Sequence, residues 1–198
     1  MSQDLSLSRS PELMTSSDTA LLVVDVQEKL IGHIPGHQRL VWNIRRLIDG
    51  AKLLHLPVVA TEQYPRGLGP TTSELAQRLG EIPEKMTFSC AGCPQIFEDL
   101  ARQGVHKVLV VGIETHVCIQ QTVLDILSRG FRVYVAVDAV GSRFSQDRDV
   151  ALRRMESAGT SLTTTEAALF EWCEVAGTPQ FKQISALVRE ARPNEDEK

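Results

Sequence analysis

Continuous apolar runs alternate with segments of helical periodicity along most of this chain. The runs 19–25 and 107–111 are typical of strands that are buried on both faces of a sheet. Shorter strands are predicted at 56–61, 131–137 and 160–163. Helical periodicity and end signals predict helices over 38–55, 94–103, 115–128, 147–157 and 180–190, with one more that Thr164 or Thr165 could cap.

This alternation of strands and helices predicts an α/β fold. We expect a three-layer α/β/α sandwich around a doubly wound, mainly parallel sheet, because parallel strands need helical crossovers that cover both faces. Residues 62–85 form a long segment rich in glycine and proline, with one short helix near 73–79. Long loops in compact α/β domains are often functional. We expect a single domain over 18–190, after a flexible lead-in at 1–17 and before a charged tail at 191–198.

Composition narrows the classes of function. The 198 residues carry a net charge of −4, which argues against a nucleic-acid partner because such proteins show a basic face. The first residues contain neither a basic nor an apolar signal region, and no apolar run is long enough to span a bilayer. Four cysteines are too few for a disulfide framework at this length. The sequence therefore predicts a soluble, cytoplasmic protein without a membrane partner.

Three polar residues lie where a parallel sheet would present them at its ligand-binding edge. Asp25 ends the first strand, Lys85 closes the long loop, and Cys118 falls in the first turn of the helix after the third strand. A helix start and a nearby cation both favour a thiolate. A carboxylate can accept the thiol proton and return it to a leaving group. Taken singly, each residue also has a structural interpretation: a turn residue, a solvated charge and a packed thiol.

The order and spacing of these motifs resemble the isochorismatase-like cysteine hydrolase superfamily. The matching segments are 22–27, Lys85 with Phe88 and Ser89, 112–119, 121–125 and 137–139, and they cover nearly the whole chain. Segment 61–69 is similar to the branch of isochorismatase domain-containing proteins. The resemblance implies the isochorismatase-like hydrolase fold, a small-molecule substrate, no cofactor or metal, and a homo-oligomer, either a dimer or a tetramer.

The resemblance also implies an active site. Its catalytic residues would be Asp25, Lys85 and Cys118, and the peptide bond between Ile113 and Glu114 would be cis. The backbone N–H groups of Glu114 and Cys118 would form an oxyanion hole. The implied reaction is cleavage of an amide or carbamoyl C–N bond through a covalent thioester. Further candidates for the substrate pocket are Gln27, Leu30 and Tyr64.

Two departures from relatives bear on the activity. Isochorismatases that cleave a vinyl ether need no nucleophilic cysteine, so Cys118 favours amidase-like chemistry. Metal-dependent nicotinamidases carry an Asp-x-His segment after the second strand, whereas this chain has Glu62, Gln63 and Tyr64. An ester or vinyl-ether hydrolase of the same fold and a non-catalytic binding protein are the competing functions that the sequence leaves open.

Two further thiol or imidazole arrangements compete with this assignment. Cys90 and Cys93 form a C-x-x-C pair that could be redox-active. No second pair completes a zinc site, and the context is unlike that of a thioredoxin. His116 lies two residues before Cys118, but residues two apart on a helix point in different directions. We therefore expect His116 at the rim of the site or against a neighbouring subunit.

Overall fold

A computed structural model describes residues 8–193 and contains a six-stranded parallel sheet. The sheet order is β3-β2-β1-β4-β5-β6, and the pairings between all neighbouring strands are parallel. The strands are Thr19–Val24 (β1), Val58–Gln63 (β2), Glu84–Lys85 (β3), Lys107–Ile113 (β4), Arg132–Gly141 (β5) and Ser161–Thr163 (β6). The predicted strands are all present, and the predicted fold class is confirmed.

Helices connect the strands, and two more follow the last strand. They are Glu28–Ile31 (α1), His37–Leu53 (α2), Pro65–Leu68 (α3), Ser73–Ala76 (α4), Pro94–Arg102 (α5), Gln120–Ser128 (α6), Ser145–Ser157 (α7), Thr165–Cys173 (α8) and Pro179–Val188 (α9). Thr164 caps α8 by accepting a hydrogen bond from Ala167 N. A short 3₁₀ turn spans Cys90–Gly92, and a π-helical turn at Thr115–Ile119 leads into α6.

Two apolar layers cover the sheet on opposite faces. In β1, Leu21 and Val23 contribute to one cluster, whereas Leu22 and Val24 contribute to the other, as the alternation of side chains along a strand requires. The first cluster is completed by residues of α2, α8 and α9, and the second by residues of α5, α6 and α7. Burial on both faces explains why β1 and β4 read as continuous apolar runs.

The sheet reverses its winding between β1 and β4. The chain passes from β1 to β2 and β3 on one side, then returns to place β4 on the other side of β1. Gly112 near the end of β4 has a φ of 122°, and a Cβ there would come within 2.1 Å of the Val24 carbonyl oxygen. Only glycine allows β1 and β4 to approach so closely at this switch point, which is where open α/β sheets bind ligands.

Segment 62–85 is more ordered than the long loop predicted from its sequence. It contains α3 and α4, and it ends in β3, which pairs with Glu62 and Gln63 of β2. A strand of two residues has no recognisable alternation, so its apolar pattern could not reveal it. Lys85 consequently lies on an edge strand of the sheet.

Residues 8–17, part of the lead-in expected from the sequence, contact the sheet in the structure. The Lys107 Nζ atom donates to the Leu13 carbonyl at 2.8 Å, and the Tyr134 hydroxyl donates to the Glu12 carbonyl at 2.6 Å. Met14 is fully buried in the first apolar cluster. These contacts come from β4 and β5, so they are invisible in a local sequence pattern. Residues 1–7 of the predicted lead-in and 194–198 of the predicted tail lie outside the described residues.

Candidate active site

Asp25 follows the last residue of β1 and is fully buried. Its backbone has a φ of 52°, and its N–H donates to the Thr61 carbonyl on β2 at 3.1 Å. One carboxylate oxygen, Oδ1, accepts a hydrogen bond from the Thr61 hydroxyl at 2.8 Å. The other, Oδ2, accepts from the Lys85 ammonium at 2.6 Å. Both oxygens of the acid are therefore held in place by neighbours from other strands.

Lys85 is almost as deeply buried, with 4% of its surface exposed. Besides the carboxylate, its ammonium donates to the Phe88 carbonyl at 2.8 Å and to the Thr87 carbonyl at 3.2 Å. These three acceptors match the three ammonium hydrogens. Because β2 lies between β3 and β1, the Lys85 side chain spans the width of one strand to reach Asp25. The segment after β3 thus positions the cation.

Cys118 lies in the π-helical turn that follows β4, with 6% of its surface exposed. The turn is wider than an α-helical one because Ile119 N–H donates to the Glu114 carbonyl, five residues earlier. The thiol lies close enough to Asp25 and Lys85 for the charges of both to act on its pKa. The fold therefore brings together the acid, the cation and the thiol that the sequence singled out.

The electrostatics of this cluster favour a protonated thiol. Burial raises the pKa of Cys118 far above that of a free cysteine, and the negative charge of Asp25 raises it further, while Lys85 acts in the opposite direction. Burial likewise raises the pKa of Asp25, against the lowering effect of the Lys85 charge and of hydrogen bonds from Lys85, Cys118 and Thr61. Burial and the adjacent carboxylate thus act against the thiolate that the helix start and the cation favour.

Two residues in the cluster were not identified as site residues from the sequence. Thr61 is 1% exposed and bonds to Asp25 through both its backbone and its hydroxyl. Cys90 is fully buried, with its Sγ 3.3 Å from the Thr61 hydroxyl oxygen, and burial raises its pKa to about 11. The position of Thr61 near the end of the strand beside β1 was the available signal. For Cys90 the available signal was its closeness in sequence to Lys85, while its exact place depends on how segment 85–93 folds back.

The peptide bond between Ile113 and Glu114 is cis. The carboxylate of Glu114 accepts hydrogen bonds from the backbone N–H of Arg143 at 3.0 Å and from its guanidinium Nε at 3.1 Å. His116 shares a hydrogen bond of 3.0 Å with the Ser142 hydroxyl. Two side-chain contacts therefore tie the turn that carries Cys118 to the segment after β5. The His116 ring is engaged with that segment.

The three residues expected to line a substrate pocket have different surroundings. The Gln27 amide donates to the Gln63 carbonyl at 3.0 Å and to the Gly69 carbonyl at 2.7 Å, and its oxygen accepts from Gln63 N–H at 2.8 Å. Both amide hydrogens are thus used to brace segment 63–69. Leu30 packs against the first apolar cluster. Tyr64 is 46% exposed, with a φ of 42°.

The C-x-x-C pair does not form a disulfide, since Cys90 and Cys93 are both free thiols. The Cys90 Sγ contacts Thr61, whereas the Cys93 Sγ contacts the Glu84 carbonyl at 3.7 Å. Among residues 8–193, no three His, Cys, Asp or Glu side chains cluster as metal ligands would. The same part of the chain contains no helix that combines the length and the apolar character needed to cross a membrane.

Comparison with known proteins gives consistent matches over most of the chain. The sequence model of the isochorismatase domain matches residues 19–167. Isochorismatase domain-containing protein 2 of Bos taurus is 42% identical over 175 residues, which cover 88% of this chain and 84% of that protein. The secreted isochorismatase effector Isc1 of Phytophthora sojae is 39% identical over 179 residues, covering 87% and 85%.

A solved structure agrees with these sequence matches. The structure described as MAR1 ribonuclease from Caenorhabditis elegans superposes with a TM-score of 0.85 and is 40% identical. The alignment covers 93% of this chain and 96% of that one. The similarity therefore extends over most of both chains, and not only over the residues of the candidate site.

Proposed function

This chain belongs to the isochorismatase family, as its motifs predicted, and we propose that it is a cysteine hydrolase that cleaves an amide or carbamoyl C–N bond in a small molecule. The observation that carries the proposal is the meeting of Cys118 with the buried Asp25–Lys85 pair at the switch point of the sheet. A buried acid that is paired with an ammonium and lies close to a thiol can take the thiol proton without solvent.

The proposed reaction begins with transfer of the Cys118 proton to Asp25. The thiolate attacks the substrate carbonyl carbon, an S–C bond forms, and the carbonyl π electrons move to the oxygen. The backbone N–H groups of Glu114 and Cys118 are the proposed donors to this oxyanion. Collapse of the intermediate breaks the C–N bond, and Asp25 protonates the departing amine.

The second half of the reaction hydrolyses the thioester and releases the carboxylic acid product. Asp25, again ionised, takes a proton from water, and the hydroxide attacks the thioester carbonyl. The S–C bond breaks, and the proton on Asp25 returns to the Cys118 sulfur, so that the cluster regains its starting state. Lys85 stays charged throughout, and its ammonium stabilises a negative charge that moves between Asp25 and Cys118.

The raised pKa of Cys118 supports a mechanism in which Asp25 takes the thiol proton when the reaction begins. A thiol that stays protonated at rest is protected from oxidation and from adventitious electrophiles, since the thiolate is the reactive form. Proton transfer to Asp25 then becomes part of the chemical step. The metal-free scheme needs no residue beyond those of the cluster and the two backbone donors.

One relative suggests a second candidate function. The Caenorhabditis elegans structure carries the name ribonuclease, so hydrolysis of a phosphodiester in RNA is a second candidate for this chain. The net charge of −4 does not favour RNA binding, which draws most of its affinity from cationic contacts to phosphates. Ester hydrolysis, vinyl-ether hydrolysis and binding without catalysis also compete with C–N hydrolysis, and a single panel of substrates distinguishes them.

A substrate panel with covalent trapping tests the proposal. The parent and Cys118→Ala would be incubated with small amides, carbamoyl compounds, esters, isochorismate and a single-stranded RNA, and the products and intact protein mass would be measured. We expect release of ammonia or amine by the parent only, with an acyl adduct on Cys118. Cys173→Ala, at a half-buried free thiol, is the matched control and should behave like the parent. Equal turnover by Cys118→Ala would overturn the mechanism.

Assembly and location are also part of the proposal. The family resemblance implies a homo-oligomer, a dimer or a tetramer, which light scattering at micromolar concentration would measure. A cytoplasmic location stays a prediction, and cell fractionation would test it, since the relative from Phytophthora sojae is named a secreted effector.

A further inference from the structure

Thr61 is tied to Asp25 more closely than any other residue that the mechanism does not use. Its carbonyl accepts from the Asp25 N–H at 3.1 Å, and its hydroxyl donates to Asp25 Oδ1 at 2.8 Å. Only 1% of Thr61 is exposed, so water cannot replace this hydroxyl without rearrangement. Loss of a hydrogen bond to a buried carboxylate leaves the charge poorly solvated.

The Thr61 hydroxyl also has a second neighbour. The Cys90 Sγ lies 3.3 Å from it, and Cys90 is fixed in turn because its N–H donates to the Thr122 hydroxyl at 2.9 Å. A hydroxyl has one proton to donate and two lone pairs that accept. When Asp25 is ionised, the Thr61 proton points to the carboxylate, and the Cys90 S–H can donate to the Thr61 oxygen.

When Asp25 is protonated, the directions of these two hydrogen bonds can reverse. Asp25 Oδ2 faces the Lys85 ammonium, which can only donate, so a proton is accommodated better at Oδ1. There it can point to the Thr61 oxygen, provided that the Thr61 hydroxyl turns and donates to the Cys90 sulfur. The three side chains therefore offer Asp25 a satisfied hydrogen bond in both of its protonation states.

We propose that Thr61 is a positioning residue that stabilises Asp25 in both protonation states, with Cys90 as the alternate partner of its hydroxyl. The inference rests on the proposed function, in which Asp25 gains and loses a proton twice in each turnover. It assigns to the buried first cysteine of the C-x-x-C pair a role without redox chemistry.

Several groups besides Thr61 also interact with Asp25. Lys85 donates to the carboxylate directly, and the thiols of Cys118, Cys90 and Cys93 interact with it electrostatically. Valine has nearly the same shape as threonine, so Thr61→Val keeps Lys85, Cys118 and Cys93 in place and removes only the hydroxyl with its contacts to Asp25 and Cys90. The change in the pKa of Asp25 on this substitution thus reports the hydroxyl and these two contacts.

The test is a titration of the Asp25 carboxyl carbon by ¹³C NMR in protein labelled at aspartate, with the signal assigned from Asp25→Asn. In Thr61→Val both forms of Asp25 lose a hydrogen bond, but the one lost by the ionised form is charge-assisted and about twice as strong as the neutral one, so we expect the pKa of Asp25 to rise by about one unit. Thr61→Ser, which restores the hydroxyl, should return the pKa to the parent value. Thr19→Val, which removes a fully buried hydroxyl bonded to Asp18 at 2.8 Å, is the matched control and should leave Asp25 unchanged.

Cys90→Ala provides an independent variant. Without its sulfur, the Thr61 hydroxyl has no acceptor when Asp25 is protonated, so the pKa of Asp25 should fall. An unchanged Asp25 pKa in Thr61→Val overturns the proposal. If Thr61→Val does not fold, an unchanged Asp25 pKa in Cys90→Ala overturns it. The titration uses no substrate, so its outcome is separate from that of the substrate panel. If turnover is found, the acidic limb of its pH profile should shift upward by the same amount in Thr61→Val.

Discussion

Lys85 and Asp25 form an ion pair of 2.6 Å whose two side chains are no more than 1% exposed. The pair joins the edge strand β3 to the centre of the sheet, where β1 ends. A buried pair is costly to break on one side only, because the remaining charge loses its partner and has no water to replace it. The stability of the domain therefore depends on the charges of two residues of its candidate active site.

Replacing Lys85 with methionine should destabilise the protein by about 3–5 kcal/mol, as measured by urea unfolding at pH 7. The loss should grow with rising pH. Asp25 without its cation has a folded-state pKa above its unfolded-state pKa, so ionising it favours unfolding. The double variant Asp25→Asn/Lys85→Met should recover most of the loss. The control is Arg102→Met, which breaks an exposed pair with Asp99 and should cost less than about 1 kcal/mol; equal losses at both sites would contradict the argument.

Replacing Asp25 with asparagine should separate turnover from thiol reactivity. Turnover should be lost because the base is gone. The pKa of Cys118 should fall, since the carboxylate charge that raises it is removed while Lys85 remains. Alkylation of Cys118 by iodoacetamide at pH 7, followed by mass spectrometry, should accelerate by about tenfold for each unit of pKa lowered. Asp99→Asn at an exposed carboxylate is the control, and slower alkylation in Asp25→Asn would count against the assigned electrostatics.

Replacing Gly112 with alanine should disrupt the contact between β1 and β4. The new Cβ would lie 2.1 Å from the Val24 carbonyl oxygen, one residue before Asp25, in a backbone conformation that L-residues avoid. We expect a loss of more than about 3 kcal/mol in the free energy of unfolding. Gly130→Ala is the matched control, with a φ of 90° and no atom within 4 Å of its Cβ. It should cost about 1 kcal/mol, and similar losses for the two variants would show that the close approach is not what requires glycine.

Replacing Gln27 with methionine should release segment 63–69. The substitution removes three hydrogen bonds to backbone groups of Gln63 and Gly69 while nearly preserving side-chain volume. Amide hydrogen exchange in this segment should accelerate by about tenfold or more, since partly buried groups lose their partners. Exchange in α6 should stay unchanged. Gln121→Met, at an exposed position, is the control, and slow exchange of the segment in Gln27→Met would mean that other contacts hold it.

Local sequence patterns were sufficient to single out Asp25 and Cys118 as candidate site residues. Asp25 was recognised because it interrupts an apolar run at the end of a strand, and Cys118 because it follows a glycine after another such run. Parallel strands place such residues at one edge of a sheet, so their proximity follows from chain order alone. The burial of Cys118 and its nearness to Asp25, which both raise its pKa, could not be inferred from the local sequence.

The sequence by itself thus determined the α/β class, the central strands and the two residues at their ends, because a buried strand must be apolar and its end must not be. Tertiary structure alone decided that Lys85 lies on an edge strand, that Thr61 and Cys90 adjoin the acid, and that residues 8–17 dock on β4 and β5. These outcomes depend on contacts between residues distant in sequence. Such contacts are selected by burial and hydrogen-bond satisfaction of the whole fold, which no local periodicity encodes.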